Sequence, residues 1–218
     1  MSGAVELTGM VLSAAPAGEY DKRLVILTRE RGRITAFARS ARKSSSPLLA
    51  AAVPFTFGTF KLYEGRSAYT LVQAQVKNYF EGLRQDYVGA YYGFYFMEFA
   101  SYYTRENLDG TDVLNLLYAA LKALENEKIE DELIRCAFEV RLMVMGGEFP
   151  QDVTQDESLL PASRYAFYHM MTKELSKLFA FTLREDVLKE VRERIDLIMK
   201  LTIDTKFKSL GILKVVAG

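Results

Sequence analysis

Cysteine and histidine are almost missing from this chain of 218 residues: Cys136 and His169 are the only ones. A lone cysteine excludes an internal disulfide. One histidine and one cysteine are too few for a zinc site built from those residue types, and the same scarcity removes most hydrolase triads. A Cys136 nucleophile paired with His169 is what remains of that chemistry. Cys136 lies in LIRCAFEV, an apolar helical segment, where a buried structural thiol is the simpler reading. Neither a Walker loop nor a dinucleotide glycine pattern occurs. The carboxylate pairs Glu130/Asp131 and Glu185/Asp186 stand at helix starts, where they favour the dipole and need no catalytic role. No catalytic residue, metal or cofactor is therefore expected, and the chain reads as a binding protein rather than an enzyme.

Long apolar runs are missing too. The nearest candidate for a membrane span, Tyr91 to Tyr103, is short of the roughly 18 residues required and contains Glu98. With no signal peptide in view, the expectation is a cytoplasmic protein without a membrane partner. Repeats, low-complexity tracts and long heptads are absent. Net charge is also absent, at +0 overall, but the charges are unevenly spread. Met1 to Gly82 carries eleven basic and six acidic residues, a balance of +5, and the remaining 17 basic and 22 acidic residues give −5. The total argues against a bulk polyanion binder, but such asymmetry between parts is informative where the total is not.

Within that part, GEYDKRLVILTRERGRITAFARSARK (18–43) stands out. Leu24 to Thr28 and Ile34 to Ala41 have strand composition, and the polar turn between them carries Gly32 where a hairpin needs positive φ. Strand alternation puts Arg33, Thr35, Phe37 and Arg39 on one face and Ile34, Ala36, Ala38 and Ser40 on the other. The second face suits a barrel interior. The first interleaves cations with a flat ring, as single-stranded nucleic acid requires. A solvated outer strand, with arginines that only keep an edge soluble, is the competing reading.

Further strands are predicted at Val5 to Ser13, Phe55 to Tyr63 and Ala68 to Ala74, with one helical turn at Leu48 to Val53. Five short strands with an insertion after the third suggest an OB-type barrel. From Arg84 onward the period becomes helical, with segments Gln85 to Tyr103, Asp112 to Glu125, Asp131 to Met145, Ala162 to Phe181 and Asp186 to Met199. The tail, Lys206 to Val216, either packs back on the bundle or forms an edge strand. The expected class is α+β: an N-terminal five-stranded OB-type β-barrel over 1–82, then an all-α helical bundle over 83–218.

The first long helix carries aromatic residues around much of its circumference, which marks a central buried helix; tyrosines also line peptide grooves. Arg135 and Glu139 are spaced to pair, and Arg141 either completes a solvated face or receives a partner's carboxylate. Tyr92, Phe96, Arg135 and Arg141 are the candidate partner-binding residues.

The order of GEYDKRLVILTRERGRITAFARSARKSSSPL, PFTFGTFKLYEGR and YTLVQAQVKNYFEGLRQD, followed by FEVRLMVMGGEFPQ and DTKFKSLGIL, resembles the bacterial RecO family of DNA repair and recombination mediators. The resemblance implies an OB barrel and a helical domain, binding of single- and double-stranded DNA, annealing of complementary strands, and a cytoplasmic, nucleoid-associated location. It implies RecR, the acidic, hydrophobic C-terminal tail of single-stranded-DNA-binding protein, and indirectly RecA as partners. By position it gives Arg33, Phe37, Arg39, Arg42 and Lys43 as the DNA-contacting set, with Lys61 and Arg66 as a second tier. Many members carry a four-cysteine zinc module where this chain reads GGEFPQDVTQDESLLPASRYAF, around 146–165, without cysteine. Phe149, Leu159, Leu160 and Tyr165 are expected to pack there in place of the metal. The rival reading is a protein-interaction adaptor that keeps barrel and bundle but has no significant DNA affinity.

Overall fold

The computed structural model describes residues 3–216. Five strands, β1 (Ala4–Ala17), β2 (Asp21–Thr28), β3 (Gly32–Ala38), β4 (Phe57–Glu64) and β5 (Tyr69–Asn78), form a closed barrel in the order β1-β2-β3-β5-β4. All neighbours are antiparallel except β3 and β5, which run parallel. This order, closing back on β1, is the OB arrangement expected from the strand count. Strand β1 is long enough to serve both sides, pairing with β4 through Ala4 to Met10 and with β2 through Gly9 to Ala17. Period-two alternation buries Leu24 and Ile26 of β2, Ile34, Ala36 and Ala38 of β3, and Phe60, Leu62 and Leu71 of β4 and β5 in one core. Each large side chain so buried contributes about 1.5–3 kcal/mol before entropy is counted.

The β2–β3 hairpin closes with Thr28 opposite Gly32. Gly32 has φ +61°, and a Cβ there would lie 2.1 Å from the Arg105 carbonyl oxygen, so the turn needs glycine for its conformation and for its space. The Thr28 hydroxyl donates to the Gly32 carbonyl at 2.9 Å and accepts from the Arg31 N–H. Strand β3 ends at Ala38, three residues before its expected end. Ser40 adopts φ +55° and its N–H donates to the Asp21 carboxylate at 2.7 Å, which turns the chain. The expected helical turn at Leu48 to Val53 is a run of turns with one helical hydrogen bond, Ala52 N–H to Leu48 carbonyl. Pro47 and Pro54 leave too little chain between them for a helix to propagate.

Two compact units divide the chain, one of 1–81 with 100–115 and one of 82–99 with 116–218. Residues 105–110 join the first unit by backbone bonds to the hairpin tip: Arg33 N–H to Arg105 carbonyl, Asn107 N–H to Arg31 carbonyl, and Gly110 N–H to Arg29 carbonyl.

The helices are α1 (Glu81–Gln85), α2 (Tyr87–Tyr103), α3 (Thr111–Leu124), α4 (Asp131–Met145), α5 (Pro161–Thr172), α6 (Leu175–Leu178), α7 (Glu185–Thr202) and α8 (Lys208–Val216). In the second unit, α2 buries Tyr95, Phe96 and Phe99, with Phe96 stacked on Phe138 of α4 at 4.4 Å between centroids. Helix α4 ends as its glycines foretell: Gly147 takes φ +73°, the Glu148 N–H reaches the Met143 carbonyl and the Gly147 N–H the Val144 carbonyl. The expected helix Ala162 to Phe181 is two, α5 and α6. Arg141 of α4 donates Nε to the Met170 carbonyl (2.8 Å) and Nη2 to the Lys173 carbonyl (2.6 Å), holding the chain out of helix at Lys173. The tail takes the packed-back form as α8. The Glu98 carboxylate accepts the N–H groups of Lys208 and Ser209 at its N-terminus, and Phe207 lies against Phe99 at 5.1 Å.

The cysteine-free segment departs from expectation in two residues. Phe149 and Leu159 are buried, but Leu160 and Tyr165 are exposed. Because α5 begins at Pro161, its inward positions are Ser163, Ala166, Phe167 and Met170, which turns Tyr165 and Tyr168 outward. Phe149 packs on Phe167 instead, at 5.9 Å, and Val153 is buried beside them in sequence. Asp156 binds Arg194 of α7 at 2.8 Å, and Glu190 of α7 accepts the Leu160 N–H at 3.0 Å.

Candidate nucleic-acid interface

Cross-strand register assembles the site. On the barrel exterior, Arg23 of β2 is paired with Phe37 of β3, Phe37 with Thr70 of β5, and Thr70 with Tyr63 of β4. Phe37 is 37% and Tyr63 48% exposed, and Arg23 is also exposed. The row therefore reads cation, ring, hydroxyl, ring across four adjacent strands. It is flanked by the β1–β2 turn, which carries Tyr20, and by the β4–β5 turn, which carries Arg66. Both turns and this sheet face are where OB barrels accept oligonucleotides.

The predicted contact residues fall into two groups. Phe37 lies at this face, and Arg39, in the turn just past the end of β3, is exposed. Lys43 follows in the adjoining turn, its Nζ 4.7 Å from the centroid of the Tyr20 ring, and Arg66 is exposed in the β4–β5 turn. Arg42 is exposed, but its Nη1 donates to the Gly18 and Glu19 carbonyls at 3.3 and 2.9 Å, bracing the β1–β2 turn. Lys61 is half-buried one pleat from Tyr63, opposite Glu6 and Gln73.

Arg33 shares the outer face but is committed elsewhere. Its Nη1 donates to the Ser101 carbonyl at 2.5 Å and the Ser101 hydroxyl at 3.1 Å. Burial, helped by the neighbouring Arg105, lowers its pKa. Arg23, Tyr63 and Tyr20 were not among the predicted residues. Arg23 needed the hairpin register: strands ending at Thr28 and starting at Ile34 set it opposite Arg39, whereas the observed pairing of Thr28 with Gly32 sets it opposite Phe37. Tyr63 needed the pairing of β4 with β5, which no local pattern gives.

The residues considered for a partner lie in the helical unit. Phe96 is fully buried, and Tyr92 donates its hydroxyl to Glu132 at 2.9 Å. Arg135 is 4% exposed, with Nε on Glu139 at 3.0 Å and Nη1 on Glu132 at 3.1 Å. Glu139 has no exposure and also accepts from Arg192 and from the Tyr95 hydroxyl. Burial pushes its carboxyl up, but Arg192 and Arg135, with that hydroxyl, outweigh burial and hold it below the usual carboxylate range. These groups fasten α2, α4 and α7 together. Arg141 braces the end of α5.

An open groove lies instead between the end of α7 and α8, floored by Met199, Ile203, Phe207 and Leu210, with Lys200, Lys206 and Lys214 and the carboxylates of Asp196 and Asp204 in its lining. Burial pushes the Cys136 thiol up to about 12 against the opposing pull of Arg192, so it stays protonated. His169 is buried, its Nε2 3.2 Å from the Lys177 carbonyl and its ring 4.2 Å from Phe181. Both are packing residues. None of the described helices is long and apolar enough to cross a membrane.

Comparison with known proteins adds identity to the geometry. The family models "Recombination protein O N terminal" and "Recombination protein O C terminal" match residues 1–80 and 84–155. The DNA repair protein RecO of Alkaliphilus metalliredigens is 38% identical over 146 residues, which are 67% of this chain and 59% of that protein. That of Bacillus pumilus is 31% identical over 147 residues, 67% of this chain and 57% of the relative. In these two the match spans somewhat over half of the relative's length. The RecO of Acetivibrio thermocellus is 23% identical across 96% of both chains.

Proposed function

Because this chain belongs to the RecO family, we propose that it is a non-enzymatic DNA-binding mediator of repair and recombination. In this reading it binds single and double strands through the barrel, anneals complementary strands and helps load a recombinase onto coated single-stranded DNA. The observation that carries it is the exterior row of Arg23, Phe37, Thr70 and Tyr63, with Arg39 and Lys43 close by in sequence. Annealing makes and breaks no covalent bond. It needs phosphates neutralised so that two strands approach, and contacts weak enough to release the duplex.

In this proposal Arg23, Arg39 and Lys43 meet the phosphates of either substrate, Phe37 and Tyr63 meet the unpaired strand, Arg66 is a second tier, Arg42 braces the β1–β2 turn and Arg33 ties β3 to Ser101. RecR, the tail of single-stranded-DNA-binding protein and, indirectly, RecA are the proposed partners. An acidic, hydrophobic tail asks for an open apolar floor with nearby cations, and the groove at Met199, Ile203, Phe207 and Leu210, lined by Lys200, Lys206 and Lys214 against Asp196 and Asp204, supports that role better than the buried Tyr92, Phe96 and Arg135.

The test is annealing of complementary labelled oligonucleotides, with the wild type and an Arg23→Ala/Arg39→Ala double variant. Acceleration by the wild type that is much reduced in the variant supports the mediator. A wild type that neither binds nor anneals DNA at low salt leaves the adaptor reading in its place.

A further inference from the structure

Resting on the DNA-binding reading above, we propose that Phe37 and Tyr63 are the specificity residues that distinguish an unpaired strand from a duplex, each stacking on an exposed base. Both are large aromatic side chains on the outside of a small barrel, 37% and 48% exposed, where neither fills the core. They stand in one cross-strand row, separated only by Thr70 on β5. Neighbouring strands are about 4.8 Å apart, so the two Cα positions are about 10 Å apart along the sheet.

That separation is roughly three times the 3.4 Å rise of stacked bases. A strand that meets both rings passes two nucleotides over Thr70 if those remain stacked, and fewer if it is splayed. Every base has a π-face, so the arrangement takes single strands with little regard to sequence. A duplex keeps those faces inside its stack and offers only phosphates, for which Arg23, Arg39 and Lys43 suffice. The rings thus add affinity to one substrate and nothing to the other.

The experiment is an anisotropy titration of the full chain with three labelled probes: a 12-nucleotide oligo-dT, an abasic deoxyribose-phosphate oligomer of the same length, and a 20-base-pair duplex. Wild type, Phe37→Leu and Tyr63→Leu are compared. The expected result is about tenfold tighter binding per ring for oligo-dT than for the abasic oligomer. Each leucine variant then loses about tenfold on oligo-dT alone, with duplex and abasic binding and the salt slope unchanged. Equal, salt-dependent binding of oligo-dT and abasic oligomer by the wild type overturns the stacking role and leaves the DNA reading intact. Equal loss on all three probes in the variants also overturns it, marking the rings as structural. Failure of the wild type to bind any probe at low salt overturns both.

Discussion

Replacing Glu139 by glutamine removes a carboxylate that has no exposure and that two guanidinium groups and a tyrosine hydroxyl all use. Arg135 is itself 4% exposed, and Arg192 keeps only 12% of its side chain in contact with solvent. The substitution leaves both cations buried with Glu132 and Asp196 as their remaining counter-charges. Breaking a buried pair in this way costs about 3–5 kcal/mol. For a chain of this size each kcal/mol is roughly 2–4 °C in midpoint, so the lower end alone predicts a fall of about 6 °C or more. Thermal and urea unfolding followed by far-UV circular dichroism measure it. The pH dependence has a definite sign. Glu139 is held below its unfolded pKa of about 4.3, so its contribution is complete above that value and is lost as pH falls through the folded one. Wild type and Glu139→Gln should therefore converge in acid. A control in which Arg135→Met, Glu139→Leu, Arg192→Met and Tyr95→Phe are combined should cost less than Glu139→Gln alone, since it removes both buried cations and the buried hydroxyl together with the carboxylate and leaves only the partly exposed Glu132 and Asp196 unpaired. A loss below about 1 kcal/mol at pH 7, or a gap that persists under acid conditions, would refute the reasoning.

Gly32→Ala should destabilise the barrel unit by more than about 2 kcal/mol, because it combines φ +61° with a Cβ 2.1 Å from a backbone oxygen; a urea midpoint equal to wild type would contradict this. Arg33→Ala should cost about 1–2 kcal/mol of stability through its lost bonds to Ser101, while leaving the salt slope of DNA binding unchanged. Asp131 should titrate near 6 by carbon-detected NMR, raised by burial and then by Asp86, Glu132 and Glu130. Its folded pKa lies above the unfolded value, so it takes stability away as pH rises from about 4 to 6; a midpoint near 4 would remove the effect.

Periodicity carried most of the barrel because its core and surface alternate residue by residue through β2 and β3. The extension of β1 to Ala17 was hidden, since Ala-Ala-Pro-Ala has no strand character and is held by pairing with Asp21 to Leu24. Likewise nothing near Thr172 announces that α5 stops there; Arg141, from another helix, takes the carbonyls. The phase of α5 depended on its start at Pro161, and an expectation that packed Tyr165 inward missed that phase. At the site, alternation correctly turned Arg33 and Phe37 to one face of β3, which ends before Arg39. Which arginine stays available was decided by Ser101, 68 residues away. The row itself was legible only as far as one hairpin reaches. Arg23 comes opposite Phe37 only through the Thr28–Gly32 closure of that hairpin, and Tyr63 enters through the β4–β5 pairing.

The central claim is that the barrel exterior binds DNA electrostatically, and the salt dependence of oligo-dT binding tests it most directly. Anisotropy titrations at several salt concentrations should give a linear fall of log affinity with log salt. The slope should decrease by about 0.7 for each phosphate contact removed in Arg23→Ala and Arg39→Ala. Binding whose slope is unchanged in the double variant, or no binding at low salt, would contradict it.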